Sequence, residues 1–508
     1  MMSPRIAFLL LIVPSLLVAQ ETPLAREVDQ LLKRPEYRHA RWGVLVVDSA
    51  TGKPLVEHNA DQLFAPASVT KLYSCAAALV ALGAEHRFET PVYQRGDDLI
   101  LVARGDLTLG GRTTREGKMA FADDDHIYAG PTKTTTQITP TDPLAGLRDL
   151  ARQVKAGGID EIKGDVLIDT RFFEQARGSG SGPGLLTPIV VNDNLVDVLV
   201  QPASKAGQPA QVRLHPATAF VQVDARVETV TEAGRVNITV RRVGPHRYTV
   251  RGRIPVGAAP QVRTCTIDDP AGYARALFID ALLEAGVKVS ASPLRAPEAE
   301  LPEEASYARL PRVALHRSLP LSEALKVILK VSHNLHASML PLLVGVKHGK
   351  RTLAEGMRLQ GKLLGELGLD LKTFSLESGA GGGDGDKVSP RVTVQLLQAL
   401  RKRPDWSAFE AALPILGVDG TLVSSVPPSS PARGKVKGKT GTYIDDNLLR
   451  GSSHLRAKSL AGVMTTAKGR ELVFAIFVND VPLASGVTAT REGQAIGRLC
   501  EILYLHAP

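Results

Sequence analysis

Cysteine is scarce in this chain: 508 residues carry three, Cys75, Cys265 and Cys500. That number excludes a disulfide framework, because at most one bridge could form and one thiol would be left over. Cys75 sits in an alanine-rich stretch, where a cysteine is ordinarily a small buried core residue. Long apolar runs are scarce too. Ile6 to Val18 is one, preceded by Arg5 and followed by Ala19, Gln20 and Glu21. It is shorter than the ~20 residues a bilayer-crossing helix needs. One positive charge, a short apolar core and a small residue before a polar stretch make residues 1–19 a secretory signal peptide. No later segment is long and apolar enough to anchor the chain, so the mature protein is expected to be periplasmic or secreted.

Several chemistries lack their signatures. No Gly-x-Ser-x-Gly elbow is present, which argues against an α/β-hydrolase, and no His-Glu-x-x-His marks a zinc peptidase. Gly438-Lys439-Thr440 imitates the end of a phosphate-binding loop, but the earlier glycine would fall at Arg433. His333 and His336 stand at helical spacing without a third ligand near them in sequence. They read as surface or cleft-edge histidines, and neither a metal nor an organic cofactor is expected. The formal charge of +9 comes from basic residues scattered along the chain. That is a solvated surface rather than a nucleic-acid footprint.

The length calls for two or three domains. Trp42 to Asp48 and Pro54 to His58 read as strands around a turn, and a helix opens near Pro66 with Leu72, Cys75, Ala76, Leu79 and Val80 on its apolar face. From about 91 to 302 the texture changes to short alternating Val- and Thr-rich runs, such as 221–230 and 236–243, with a flexible glycine-rich loop at 178–184. This stretch reads as an insertion in two parts: about 91–169 with 260–302 as one unit, and 170–259 nested within it. Helical periodicity returns at 303. Leu321 to Val344 fits a helix pair or a broken helix, and Leu353 to Leu367 fits another helix. Residues 434–443, 459–466 and 472–479 read as strands of one sheet, with a hairpin at Lys468-Gly469-Arg470 and a final helix over 491–505. The main domain is therefore expected in two pieces, 20–90 and 303–508.

Three short elements carry chemistry. Ser68-Val69-Thr70-Lys71 puts a hydroxyl and an amine three residues apart at a helix start, on one face. Serine is a weak nucleophile until a base takes its proton, and lysine becomes that base only where burial or a neighbouring cation lowers its pKa. Ser332-His333-Asn334 falls where a helix should break, so that its Ser and Asn can point into one cleft. Lys439-Thr440-Gly441-Thr442 lies on an expected strand, where a cation and a hydroxyl can bind a carboxylate and Gly441 allows close approach of a backbone.

In that order these are the Ser-x-x-Lys, Ser-x-Asn and Lys-Thr-Gly elements of penicillin-recognising enzymes. Over nearly all of the mature chain, the sequence resembles the D-alanyl-D-alanine carboxypeptidase/endopeptidase S13 family, the class-C low-molecular-mass penicillin-binding proteins. Phe64-Ala65-Pro66-Ala67-Ser68, Gly105-Asp106, Asn192-Asp193-Asn194-Leu195, Pro320-Leu321-Ser322-Glu323 and Gly417 to Leu422 add to the likeness. The resemblance implies an α/β (α+β) transpeptidase/β-lactamase-like domain, its antiparallel sheet flanked by helices and interrupted by a large β-rich insertion. It implies peptidoglycan peptides as substrate and β-lactams as covalent inhibitors. It also implies roles: Ser68 as nucleophile, Lys71 as base and Ser332 as proton relay, with Asn334, Lys439, Thr440, Gly441 and Thr442 binding substrate. The N–H groups of Ser68 and Thr442 would form the oxyanion hole. Glu377 to Gly383 departs from the family's Asp-Gly-Ser-Gly-Leu-Ser type of loop. Two rivals share the fold: a β-lactamase with fast deacylation, and a non-catalytic peptidoglycan-binding protein.

Overall fold

The computed structural model describes residues 23–507; the expected signal peptide lies outside the described residues. The chain's ends meet in one antiparallel sheet of five strands. Their order is Val436–Asn447, Ser452–Thr465, Glu471–Pro482, Arg41–Asp48 and Pro54–His58. Alternation decides what each face covers. In Arg41–Asp48, Trp42, Val44 and Val46 face a core shared with Leu24 and Val28 of helix Pro23–Leu32 and Leu499 and Leu503 of helix Thr490–His506. Leu45 and Val47 face the opposite core, with Phe64, Leu72, Cys75 and Leu79. Helices Thr70–Leu82, Asn334–Lys347, Leu353–Glu366 and Pro390–Arg401 fill that second side. Helix Thr70–Leu82 is buried nearly all round, as its lack of polar residues after Lys71 requires.

The two strands nearest the site are longer than their apolar runs, because both continue past the core as a ribbon reaching residue 447 and restarting at 452. The expected hairpin at 468–470 joins the next pair. The stretch Leu321 to Val344 breaks as expected. A short helix, Leu321–Lys326, runs into a π-turn, Val327–Val331, and the helix restarts at Asn334.

The inserted region folds around its own core, in which Leu147, Leu150, Val196, Val198, Leu277 and Phe278 meet. Its pairings cross the boundaries read from the sequence. Strand Arg312–Arg317 pairs with Glu89–Arg95, so the insertion's sheet runs on past 302. Strand Leu195–Gln201 pairs with Gln261–Thr266, which ties the nested segment to the outer one across 260. The three cysteines are buried and free.

Candidate active site

Ser68 stands in a single 3-10 turn, Ala67–Val69, that leads into helix Thr70–Leu82. The turn is tight: Ala67 takes a left-handed φ of 47°. Two glycines let other segments close on it. A Cβ at Gly441 would come within 2.4 Å of the Pro66 carbonyl and 2.3 Å of Ser459 Oγ. A Cβ at Gly381, whose φ is +89°, would fall 2.0 Å from the Ala67 carbonyl. The Lys439–Thr442 strand and the Glu377–Gly383 loop therefore flank the serine at van der Waals range. Ser459 adds a hydrogen bond from Oγ to the Pro66 carbonyl, at 2.8 Å.

One helical turn on, Lys71 Nζ lies 2.8 Å from Ser68 Oγ. It is also 2.7 Å from Asn334 Oδ1 and 2.7 Å from the Ala380 carbonyl. The ammonium side is fully buried, and burial brings its pKa down from the usual lysine range to about 7. A neutral amine has two N–H bonds and one lone pair. Asn334 and Ala380 accept the two N–H bonds, which leaves the lone pair facing the serine hydroxyl.

Ser332 sits at the break between the π-turn and helix Asn334–Lys347, in a left-handed conformation with φ 68° and ψ 39°. Lys439 Nζ donates to its Oγ at 2.9 Å and to the Thr440 carbonyl at 2.7 Å. Lys439 is fully buried, and burial together with the nearby Lys71 cation pushes its pKa well below the ordinary lysine value. Thr440 Oγ1 donates to Thr421 Oγ1 at 2.7 Å, and Lys458 Nζ donates to Thr442 Oγ1 at 2.8 Å. Ser68, Ser332, Asn334, Thr440 and Thr442 open onto one cavity of about 970 Å³. Lys71 and Lys439 lie beneath its floor, and Gly441 is the packing contact just described. The eight residues marked in the sequence are thus brought to one place.

Four features of the site were not read from the sequence. The glycine-rich loop expected to be flexible is bound into the wall: Ser181 O accepts from Asn334 Nδ2 at 2.9 Å, and Ser179 Oγ lies 2.7 Å from Ser378 Oγ. Asp123, Asp124 and Tyr128 of the insertion line the cavity, Tyr128 donating to the Ser332 carbonyl at 2.6 Å. The unusual Glu377–Gly383 loop supplies a backbone carbonyl, that of Ala380, to the base. Finally, His333 and His336 are not at the surface or the cleft edge. Both are fully buried and stacked, and Asp193, distant in sequence, stands against them. Only the Asp193 landmark hinted at this, and nothing in its local spacing linked it to the histidines.

A family model described as the D-Ala-D-Ala carboxypeptidase 3 (S13) family matches residues 24–499. The chain belongs to that family. Among curated relatives, the D-alanyl-D-alanine carboxypeptidase of Actinomadura sp. strain R39 is 31% identical, over 96% of this chain and 87% of the relative. The D-alanyl-D-alanine carboxypeptidase DacB of Haemophilus influenzae is 26% identical, over 84% of this chain and 82% of the relative. The crystal structure of penicillin-binding protein 4 (dacB) from Haemophilus influenzae shares the fold. Its TM-score is 0.68 at 22% sequence identity, over 94% of this chain and 99% of that one. The S13 chain is accordingly a serine-type D-alanyl-D-alanine carboxypeptidase with a penicillin-binding fold, as its sequence elements implied.

Proposed function

We propose that this S13 peptidase trims peptidoglycan stem peptides through an acyl-enzyme on Ser68, with Lys71 as the base. One observation carries the reading: the Lys71 amine has acceptors for two N–H bonds and directs its remaining valence at Ser68 Oγ, 2.8 Å away. Near neutral pH roughly half of an amine with pKa about 7 is free to accept a proton. Ser68 Oγ attacks the carbonyl of the penultimate D-alanine as its proton passes to Lys71. The oxyanion accepts from the N–H groups of Ser68 and Thr442, each such donor worth ~3 kcal/mol. The C–N bond then breaks, and the leaving nitrogen takes a proton from Ser332 Oγ. Net, one proton moves from Ser68 to that nitrogen, with Lys71 and Ser332 as carriers.

Lys439 and Thr440 receive the substrate's terminal carboxylate. An arriving anion offsets the burial of Lys439 and favours its charged form. Asn334 orients Lys71 through Oδ1. Water next attacks the ester as it gives a proton to the neutral Lys71 amine, and Lys71 passes that proton to Ser68 Oγ as the acid departs. The same chemistry on a cross-link is endopeptidase action, which an open cavity of about 970 Å³ has room for. A β-lactam acylates Ser68 in the same way. The signal-like residues 1–19 support a periplasmic or secreted location, and none of the described helices is long and apolar enough to cross a membrane.

The test is labelling with a fluorescent penicillin, wild type beside Ser68→Ala. A stable adduct on wild type alone supports the acyl-enzyme. An adduct lost within seconds supports the β-lactamase rival. A folded protein with neither adduct nor β-lactam turnover would be the non-catalytic rival.

A further inference from the structure

A buried ionic cluster behind the Ser332 turn has no part in the chemistry above. Asp193 is its hub. Its Oδ2 accepts from Arg112 Nη2 at 2.6 Å, Arg112 Nε at 3.2 Å and His126 Nε2 at 2.9 Å. Its Oδ1 accepts from His336 Nε2 at 2.7 Å and faces His333 Nε2 at 3.2 Å. Arg112 is held in turn by a two-pronged contact with Asp125, at 2.8 and 2.9 Å, and His126 Nδ1 lies 2.7 Å from Asp197 Oδ1. None of these seven residues is more than 5% exposed.

The backbone is bent to make this cluster. Asn192, Asp193 and Asn194 have φ of 48°, 54° and 55°, three consecutive left-handed residues, none a glycine. Asparagine and aspartate enter this region more readily than other side chains, but three in a row persist only where their surroundings fix them. Ser332, on the other side, is left-handed as well. Between the two bent segments stand the His333 ring, stacked on His336 with centroids 3.7 Å apart, and the Asp193 carboxylate. Tyr128, two residues from His126, adds its hydrogen bond to the Ser332 carbonyl. The group of Asp193, His333 and His336 does not suit a metal ion. The two imidazole planes are within 16° of parallel, so their in-plane lone pairs cannot converge on one ion ~2 Å from each.

We propose that Asp193, acting through His336 and the His333 ring stacked on it, is a positioning residue for the reaction. The insertion's ionic cluster pins the residue after Ser332 and holds Ser332 left-handed. It thereby aims the hydroxyl that delivers a proton to the leaving group. Without the pin, Ser332 relaxes toward the right-handed region and the helix break around it closes. The proposal rests on the relay role given to Ser332 above.

The test compares two substrates with the same acyl part: a D-Ala-D-Ala peptide and a thiolester whose leaving group departs as thiolate, needing no proton. In Asp193→Asn, kcat on the peptide should fall ~10- to 100-fold, part of the ~10²–10⁴-fold a general acid contributes because the hydroxyl is misaimed and not removed, with KM nearly unchanged. Thiolester turnover should fall less than ~3-fold by the same reasoning. Equal losses on both substrates mean a merely structural role and overturn the proposal, as does an unchanged peptide rate. His333→Asn leaves Asp193 and its other partners in place, cuts their link to the Ser332 turn, and decides the matter if Asp193→Asn does not fold. It should show the same split between substrates, and equal or absent losses overturn the proposal. A wild type that cleaves neither substrate and takes no penicillin overturns the underlying reading instead, which a substrate-specific result cannot do.

Discussion

Replacing Asn334 by aspartate tests whether Lys71 works as a neutral base. The substitution keeps the side chain's shape and puts a carboxylate oxygen where an amide oxygen now stands, 2.7 Å from Lys71 Nζ. With pKa about 7, the amine is ~1% neutral at pH 5, about half at pH 7 and nearly all by pH 9. Losing the proton makes the base, so penicillin acylation of wild type should rise about tenfold per pH unit up to pH ~7 and then level. An opposite charge at this range stabilises the ammonium and raises a lysine by ~1–3 units. Taking ~2 units, the neutral fraction of Asn334→Asp at pH 7 drops from about half to ~1%, and acylation falls ~50-fold. By pH ~9 the gap should shrink to about twofold, because half of the shifted lysine is then neutral.

The assay is the second-order rate of fluorescent-penicillin labelling from pH ~5.5 to ~9.5, a span that covers both limbs. Two side effects are expected to be independent of this shift. The aspartate forfeits the hydrogen bond to the Ser181 carbonyl, which lowers the rate by one factor at every pH. Lys439, whose pKa is pushed down by burial, loses its charge with rising pH in both proteins. The informative quantity is therefore the position of the acid limb. A variant whose rate is reduced equally at every pH, with the limb still near 7, refutes the assignment of Lys71 as the titrating base.

Gly441→Ala should displace the nucleophile turn, since its Cβ would meet the Pro66 carbonyl and Ser459 Oγ at under 2.5 Å. Labelling should fall ~100-fold, the cost of a misplacement of about 1 Å, while thermal unfolding shifts by only a few degrees. Asp419→Ala leaves the buried Lys330 ammonium, now 2.7 Å from Asp419 Oδ2, with the Leu413 carbonyl and the Phe121 ring as its partners. Urea unfolding should show a loss of about 2–3 kcal/mol, toward the lower end for a broken buried pair because Asp419 is part-exposed. Cys75, Cys265 and Cys500 are buried, and burial pushes all three thiols up. An aromatic disulfide reagent should leave all three unreacted in the native protein and react with all three in denaturant; fast reaction of any native thiol refutes their burial.

How far the sequence could be read follows from how each contact is encoded. Ser68 and Lys71 are one helical turn apart, so their meeting is a local fact that spacing alone carries. The strands read well because each is an apolar or alternating run bounded by turn residues, and their register follows from which face is buried. Gathering the three motifs needed the family resemblance, for nothing local says that Lys439 will stand against Ser332, 107 positions away. Contacts made by backbone groups were beyond reach. The Ala380 carbonyl that holds Lys71 belongs to a residue whose side chain is silent, in a loop whose composition departs from the family pattern. The insertion's boundaries were blurred for a related reason: strand Arg312–Arg317 is an ordinary alternating run, and its partner Glu89–Arg95 lies more than 200 residues earlier.

The histidines are the sharpest case. Scored by local spacing, His333 and His336 lack a ligand and fall to the surface; in the fold they meet Asp193, 143 positions from His336. That carboxylate reaches them only because three consecutive residues, Asn-Asp-Asn, adopt a left-handed conformation that such residues ordinarily take only singly. A strained segment in the insertion and a strained serine in the catalytic domain face each other through one carboxylate. Strain of that kind survives when both sides hold it, so on this proposal the inserted region positions the S13 site. Removing it would free the Ser332 turn as well as open the wall of the cavity.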